Sequence, residues 1–357
     1  MTGEENISTE LFGCTSCGAD LSYKPGTTSL TCEYCNAVNE IPQIDVEIEE
    51  LDFDKYLDTK LKTEDSITEK FIKCNSCGAS SSIDENITSM SCPYCATSLV
   101  LEQAKDEKLI QPKSILPFKL GQDESKKEVK QWVTKLWFAP NDLKKAVLNF
   151  DHFKGIYIPY WTFDIDTESY YTGQKGKYYY VKSGDKKKRK IRWYPASGNV
   201  SKFFDDILTP ASKSLPEKYI NKLEPWDLEN LVPYNKKFLS GFVTEKYQID
   251  LKEGFNLAKN IADTKIRRLV KKDIGGDTQK IFSVNTSYND ISFKHLLLPV
   301  YVSSFMFKDK TYQFLINART GEVQGERPYS WVKIALLVLA ILGLFGVLKF
   351  VDMYSES

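Results

Sequence analysis

Eight cysteines are the residues of this 357-residue chain best suited to chemistry, and they fall into two runs of one pattern. Cys14, Cys17, Cys32 and Cys35 spell C-x2-C-x14-C-x2-C; Cys74, Cys77, Cys92 and Cys95 repeat it sixty residues later. Two residues between cysteines let a tight turn aim both sulfurs at one ion, and two such turns complete the tetrahedron that zinc prefers. Other positions recur with the ligands: Gly18, Ala19, Ser29 and Tyr34 return as Gly78, Ala79, Ser89 and Tyr94. A unit of about thirty residues has been duplicated. Gly18 and Gly78 stand where a positive φ would turn backbone N–H groups toward the sulfurs. Asn36 suits that role after the second turn of the first unit, and Ala96 suits it less well.

A unit of this size cannot bury enough apolar surface to fold unaided. Metal binding, worth about 10–16 kcal/mol in zinc-finger peptides, supplies what the core lacks. The competing reading of eight cysteines is a disulfide framework. Paired CxxC turns favour zinc, as does a start, MTGEENISTE, with neither a basic nor an apolar leader region. Four thiolates leave no open coordination position, so two structural Zn2+ ions are expected, neither catalytic.

Charge bears on what such ribbons could bind. The chain has 48 basic and 48 acidic residues, but residues 1–113 hold 21 acids against 9 bases, and the remainder is correspondingly basic. Residues 11–41 carry Asp20, Glu33 and Glu40 against Lys24; residues 71–101 carry Asp84 and Glu85 against Lys73. Thiolates add further negative charge, and phosphate binding needs a basic patch. Protein docking or a purely structural role is therefore favoured for the ribbons over nucleic acid. Between them, residues 42–70 read as an acidic linker, with Asp45, Glu47, Glu49, Glu50, Asp52 and Asp54 close together. Ile44, Val46 and Ile48 alternate with those acids and would also allow a short strand.

The elements around these units divide into a middle domain and an apolar tail. From Ile334 to Leu348 no polar side chain occurs, and Trp331 to Val351 would rise about 31 Å, enough to cross a hydrocarbon core. Residues 331–351 are expected as one transmembrane helix, with a short tail at 352–357. Arg319, Arg327 and Lys333 lie before it and Lys349 after it, which predicts a cytoplasmic amino terminus and a single C-terminal anchor in the cell membrane. Residues 114–328 read as a mixed α+β domain with antiparallel strands. One helix is expected over DESKKEVKQWVTKLWF, with Val129, Val133, Leu136 and Phe138 on its apolar face and Asp123 as N-cap; another covers LKEGFNLAKNIADTKIRRLVKK, ending at Gly275–Gly276. Two strands are expected around a turn at TGQKG, and a hairpin turning at Arg319–Gly321. A fainter repeat offset by 140 residues links Phe153-Lys154 through Tyr160-Trp161 with Phe293-Lys294 through Val300-Tyr301, suggesting two related halves.

The chain has no phosphate-binding loop, GxGxxG, GxSxG or HExxH pattern, and no cysteine remains outside the two units. His152 and His295 have no recognisable partner. Asp164, Asp166 and Glu168 alternate on one strand face, where they would pair with hairpin lysines or hold a divalent cation. No enzyme is expected. The run KSGDKKKRKIR sets Lys182, Lys186, Lys187, Lys188, Arg189, Lys190 and Arg192 against Asp185 alone. It reads as a solvated hairpin tip or as a contact for anionic lipid, for nucleic acid or for the chain's own acidic segment.

The eight cysteines, the stretch Gly155-Ile156-Tyr157-Ile158-Pro159-Tyr160-Trp161 with Asp164, the following YTGQKG and the terminal apolar run resemble an uncharacterised family of bacterial zinc-ribbon membrane proteins. Members are labelled after TFIIB-type zinc ribbons or the primosomal replication helicase. The helicase label does not fit a chain without a phosphate-binding loop. The resemblance implies a place at the inner face of the membrane, beside membrane-stress proteins of the phage-shock type. The function expected is a membrane-anchored, non-catalytic adaptor that docks a cytoplasmic protein partner; the alternative is a membrane-tethered nucleic-acid binder using the lysine run.

Overall fold

The computed structural model describes residues 12–42, 48–59, 66–83, 90–99, 104–140, 142–143, 153–184, 186–307 and 310–355. The first cysteine unit is an antiparallel sheet of β1 (Leu21–Tyr23), β2 (Ser29–Cys32) and β3 (Val38–Glu40). A short strand β4 (Leu51–Asp52) and helix α1 (Phe53–Thr59) follow. The second unit contains β5 (Ser66–Lys73), β6 (Ser80–Ser82), the pair β7 (Met90–Ser91) and β8 (Ser98–Leu99), and β9 (Lys105–Ile110), which returns against β5. Then come β10 (Ser114–Ile115), α2 (Gln122–Lys135), β11 (Phe153–Ser183), β12 (Lys186–Pro210), β13 (Val232–Pro233) and β14 (Val243–Thr244). The chain ends with α3 (Leu251–Ile274), β15 (Thr278–Phe307), β16 (Lys310–Asn317), β17 (Val323–Gly325) and α4 (Trp331–Ser355).

The centre is a nine-stranded sheet in which β11 lies between β12 and β15, antiparallel to both. The near half of β11 is covered on both faces, which explains why GIYIPYW reads as a continuous apolar run rather than an alternating one. Tyr157, Leu297 and Tyr301 point to one side, into a core shared with the first cysteine unit and α2. Ile156, Ile158, Leu296, Leu298 and Val300 point to the other, into a core shared with the second unit. Each cysteine unit thus caps one face of the same sheet. Ile158 and Leu298, equivalent in the 140-residue repeat, sit directly opposite each other, so the repeated segments pair with one another antiparallel.

Beyond the core the sheet narrows into an arm. β15 accompanies β11 to the Gly176↔Thr278 pair, and β12 continues alone to Ser183↔Lys186. α3 braces the proximal arm with an apolar stripe of Leu251, Phe255, Ala258, Ala262, Ile266, Val270 and Ile274, at helical spacing. It comes close because Gly254 lies against the indole of Trp161, where a Cβ would fall 2.6 Å from Cδ1.

Several expectations are corrected. TGQKG is not a turn: residues 172–176 run straight through β11, and the chain reverses at Gly184, where φ is 64°. Gly173 and Gly176 serve close approach instead, since a Cβ on Gly173 would stand 2.3 Å from the Lys280 carbonyl oxygen and one on Gly176 2.6 Å from Thr278. The N-cap of α2 is Gly121, not Asp123; the Glu124 carboxylate accepts from its N–H at 2.9 Å. Within 42–70, read as a linker, β4 pairs with β15 and Phe53 is buried among Phe163, Phe255 and Phe293. Asp45 and Glu47 lie outside the described residues.

Candidate metal centres

Four turns of one design carry the eight cysteines. The N–H four residues on donates to the leading cysteine carbonyl: Gly18 to Cys14 at 2.8 Å, Asn36 to Cys32 at 3.0 Å, Gly78 to Cys74 at 2.9 Å and Ala96 to Cys92 at 2.9 Å. The leading cysteine N–H donates onward, to the carbonyls of Ala19, Ala37, Ala79 and Thr97, at 2.7 to 3.0 Å. φ is 77° at Gly18, 58° at Asn36, 79° at Gly78 and 60° at Ala96. Ala96, the least suited of the four, takes the same left-handed conformation at a cost of about 1–2 kcal/mol.

These turns bring four sulfurs together in each unit. Cys14 Sγ is 3.5 Å from Cys35 Sγ and Cys17 Sγ is 3.5 Å from Cys32 Sγ. In the second unit Cys74–Cys95 and Cys77–Cys92 are each 3.6 Å apart. All ligand atoms of a set lie within 4.8 Å of one another. A disulfide would hold its sulfurs at about 2.05 Å, so the cysteines are unbridged. Zn–S bonds of about 2.3 Å in a tetrahedron separate the sulfurs by about 3.8 Å, close to what is found. Each set is able to hold a metal ion, and four thiolates suit zinc.

Protons oppose that arrangement until a cation replaces them. The Ser16 N–H, 3.4 Å from Cys14 Sγ, draws the Cys14 thiol down to about 6. Cys35 moves the other way: the Ala37 N–H would lower it, but sharing protons with Cys17 and Cys14 outweighs this and pushes it up to about 12. Full ionisation of a set therefore calls for a cation at its centre.

The two units dock differently. In the first, Tyr23 donates its hydroxyl to the carbonyls of Thr27 at 2.7 Å and Phe118 at 3.2 Å. Tyr34, beside Cys35, is 83% exposed. Its counterpart Tyr94 is 1% exposed and donates to Glu245 Oε2 at 2.7 Å. The other oxygen of Glu245 accepts from Ser212 at 2.9 Å, from Gln248 Nε2 at 2.9 Å and from Ser214. Burial pushes Glu245 up to about 7. Sequence reading missed this residue because a lone glutamate in VTEKY has no spacing or periodicity to mark it.

The remaining candidates do not converge. Asp164 accepts from the Asp206 N–H at 2.7 Å and shares a hydrogen bond with Glu50 beside Lys294, whereas Glu168 accepts from Tyr170 and Asn199, so these strand acids face different partners. Among the described residues the two cysteine sets are the groups of ligand type that close on one point. His295 is a core residue: its Nδ1 lies 2.8 Å from the Ile110 carbonyl oxygen, and burial pushes it down to about 4. His152 lies outside the described residues. Of the acidic segment's described residues, Glu49, Glu50 and Asp52 pair with Lys113, Lys294 and Lys55 rather than with the lysine run. Lys182, Lys186, Lys187, Lys188, Arg189, Lys190 and Arg192 all lie exposed at the far end of the arm.

α4 contains a 19-residue stretch, Trp331–Lys349, with mean hydropathy 2.5 and none of it buried, long and apolar enough to span a membrane. Its start is fastened to the turn that follows α2: the Ser330 N–H donates to the Phe138 carbonyl at 2.7 Å, and Lys333 Nζ donates to the Ala139 carbonyl at 2.8 Å.

No family model matches the chain, and no solved structure matches it. The uncharacterized protein YdjG of Bacillus subtilis (strain 168) is 26% identical over 351 residues, which is 96% of this chain and 97% of the relative. From the cysteine units through to the apolar helix, the chain is a distant full-length homologue of that protein.

Proposed function

We propose that the protein is a membrane-anchored, non-catalytic adaptor: α4 crosses the bilayer, two zinc ions staple the cysteine units, and the first unit docks a cytoplasmic protein. The observation that carries this reading is the divergence of one duplicated position. Tyr94 is spent on holding the second unit to the core, whereas Tyr34 stands on a folded, metal-type knuckle and is not covered by the described residues, and Val38 in the same unit is 61% exposed. An exposed tyrosine on a rigid support is the kind of residue that anchors protein interfaces. The base of α4 supports the membrane placement, because Trp137, Tyr329 and Trp331 are exposed there at 76%, 55% and 82%, as in an interfacial aromatic belt.

The test is cross-linking in intact membranes with wild type, Tyr34→Ala and Cys14→Ser. The adaptor reading predicts a cross-linked protein that both variants lose while remaining in the membrane fraction. A cross-link that survives both, or a chain recovered without detergent in the soluble fraction, contradicts it.

A further inference from the structure

The distal arm has no part in the metal units or the membrane helix, yet it is the most highly charged part of the molecule. Past Gly176↔Thr278 only β11 and β12 remain, paired from Lys177↔Arg192 to Ser183↔Lys186. That leaves seven residues on each strand, about 23 Å of two-stranded ribbon.

This ribbon breaks a rule of sheet stability. Lys177 stands directly opposite Arg192 and Lys182 directly opposite Lys187; like charges in such positions repel. The bases occupy both faces. Lys177, Lys186, Lys188, Lys190 and Arg192 share one, and Lys182, Lys187 and Arg189 share the other. None of them forms an ion pair among the described residues. Two guanidinium groups are held in place by tyrosine rings, Arg189 at 4.3 Å from the Tyr178 centroid and Arg192 at 5.1 Å from that of Tyr179. Local choices that cost stability without an internal partner are expected at functional sites.

We infer that the distal β11–β12 ribbon binds duplex DNA, entering the major groove. A two-stranded ribbon is one of the elements that the B-form major groove, about 12 Å wide, admits. Cations on both faces match a groove walled by phosphate on two sides. A planar bilayer would satisfy only one face. The apex also argues against lipid, since Ser183 and Gly184 offer nothing apolar to insert, and the aromatic residues are set back from the turn. The ribbon lies at the opposite end of the 31-residue strand β11 from Phe153, which shares its core with Ala139 in the turn that holds α4.

The inference does not rest on the adaptor reading, which concerns the first cysteine unit. It is tested on the full chain in nanodiscs of neutral lipid, by anisotropy of a labelled 16-base-pair duplex across a salt series. Each phosphate neutralised adds about −0.9 to the slope of log affinity against log salt. Replacing Lys186, Lys187, Lys188, Arg189 and Lys190 by Gln should reduce that slope by about 3 to 4 and weaken binding at least tenfold at 0.1 M salt. Circular dichroism and metal content should not change, because these side chains are exposed. An RNA duplex of the same sequence should bind more weakly, since its major groove is too narrow for a ribbon. Equal binding of RNA and DNA, equal binding by the five-site variant, or no duplex binding at 50 mM salt overturns the inference. So does protection of Lys186–Lys190 from trypsin by anionic nanodiscs but not by DNA, which would assign the ribbon to lipid.

Discussion

The two cysteine units share their ligand spacing, their four left-handed turn residues and their sulfur geometry, yet they are built into the molecule in opposite ways. They cover opposite faces of the central sheet. The first reaches the core through Tyr23, Leu21 and Leu30 and leaves its second knuckle in solvent, with Tyr34 83% exposed. The second drives that same knuckle inward, with Tyr94 1% exposed and bound to a buried carboxyl group. Ligand spacing thus dictates the metal site, and the residues between the ligands decide which side of it stays free. Both units pack on the sheet, but the second buries this tyrosine position and the first leaves it exposed.

The largest test of that contrast removes a ligand from each unit. Cys74→Ser should lose one of two bound metals and also release the plug over Ile156, Ile158 and Leu298, so limited proteolysis should spread into the middle domain. Cys14→Ser should lose one metal with cleavage concentrated near the first unit. Binding worth about 10–16 kcal/mol in isolated fingers is at stake in each, and identical digestion patterns would erase the distinction. Next, Tyr94→Ala should cost about 3–5 kcal/mol in denaturant unfolding, while Tyr34→Ala should stay within about 0.5 kcal/mol; comparable losses would mean that Tyr34 is covered after all.

Acidity sharpens the comparison further. Glu245 has a folded value near 7, above about 4.3 for an unfolded glutamate. The folded state therefore holds its proton more tightly, and stability should fall as pH rises from about 4 to about 7 and then level off. The displacement corresponds to about 4 kcal/mol at most. Glu245→Gln should flatten the profile of melting temperature against pH, and an unchanged profile would remove Glu245 as its cause. The smallest effect is at Ala96. Ala96→Gly should stabilise the second unit by about 1 kcal/mol, because glycine adopts φ near 60° without strain; the reverse change, Gly78→Ala, should cost a similar amount. A loss at Ala96→Gly would show that its methyl group packs usefully.

What could be read from the chain was what local chemistry dictates. Cysteine spacing, the glycines behind each first turn, the C-terminal stop of α3 at Gly275 and the apolar run of α4 all follow from residues near one another. Long-range pairing was harder. TGQKG looked like a turn because glycines usually mark one, but here two sheet neighbours approach so closely that only glycine fits. The real reversal was signalled by the Ser183-Gly184 dipeptide. The acidic stretch looked like linker because its charges hid Phe53, whose place depends on rings more than a hundred residues away. The burial of Tyr94 against Glu245 was invisible for the same reason: Tyr34 and Tyr94 are alike in sequence, and only the partner 151 residues on separates them.

Metal analysis of the full-length protein, purified in detergent without added metal, bears most directly on the account. It predicts two zinc ions per chain and eight thiols that react only after chelation, when the second unit comes off the sheet. A metal-free chain with the cysteines oxidised to disulfides, and with Tyr94 still buried, would contradict it.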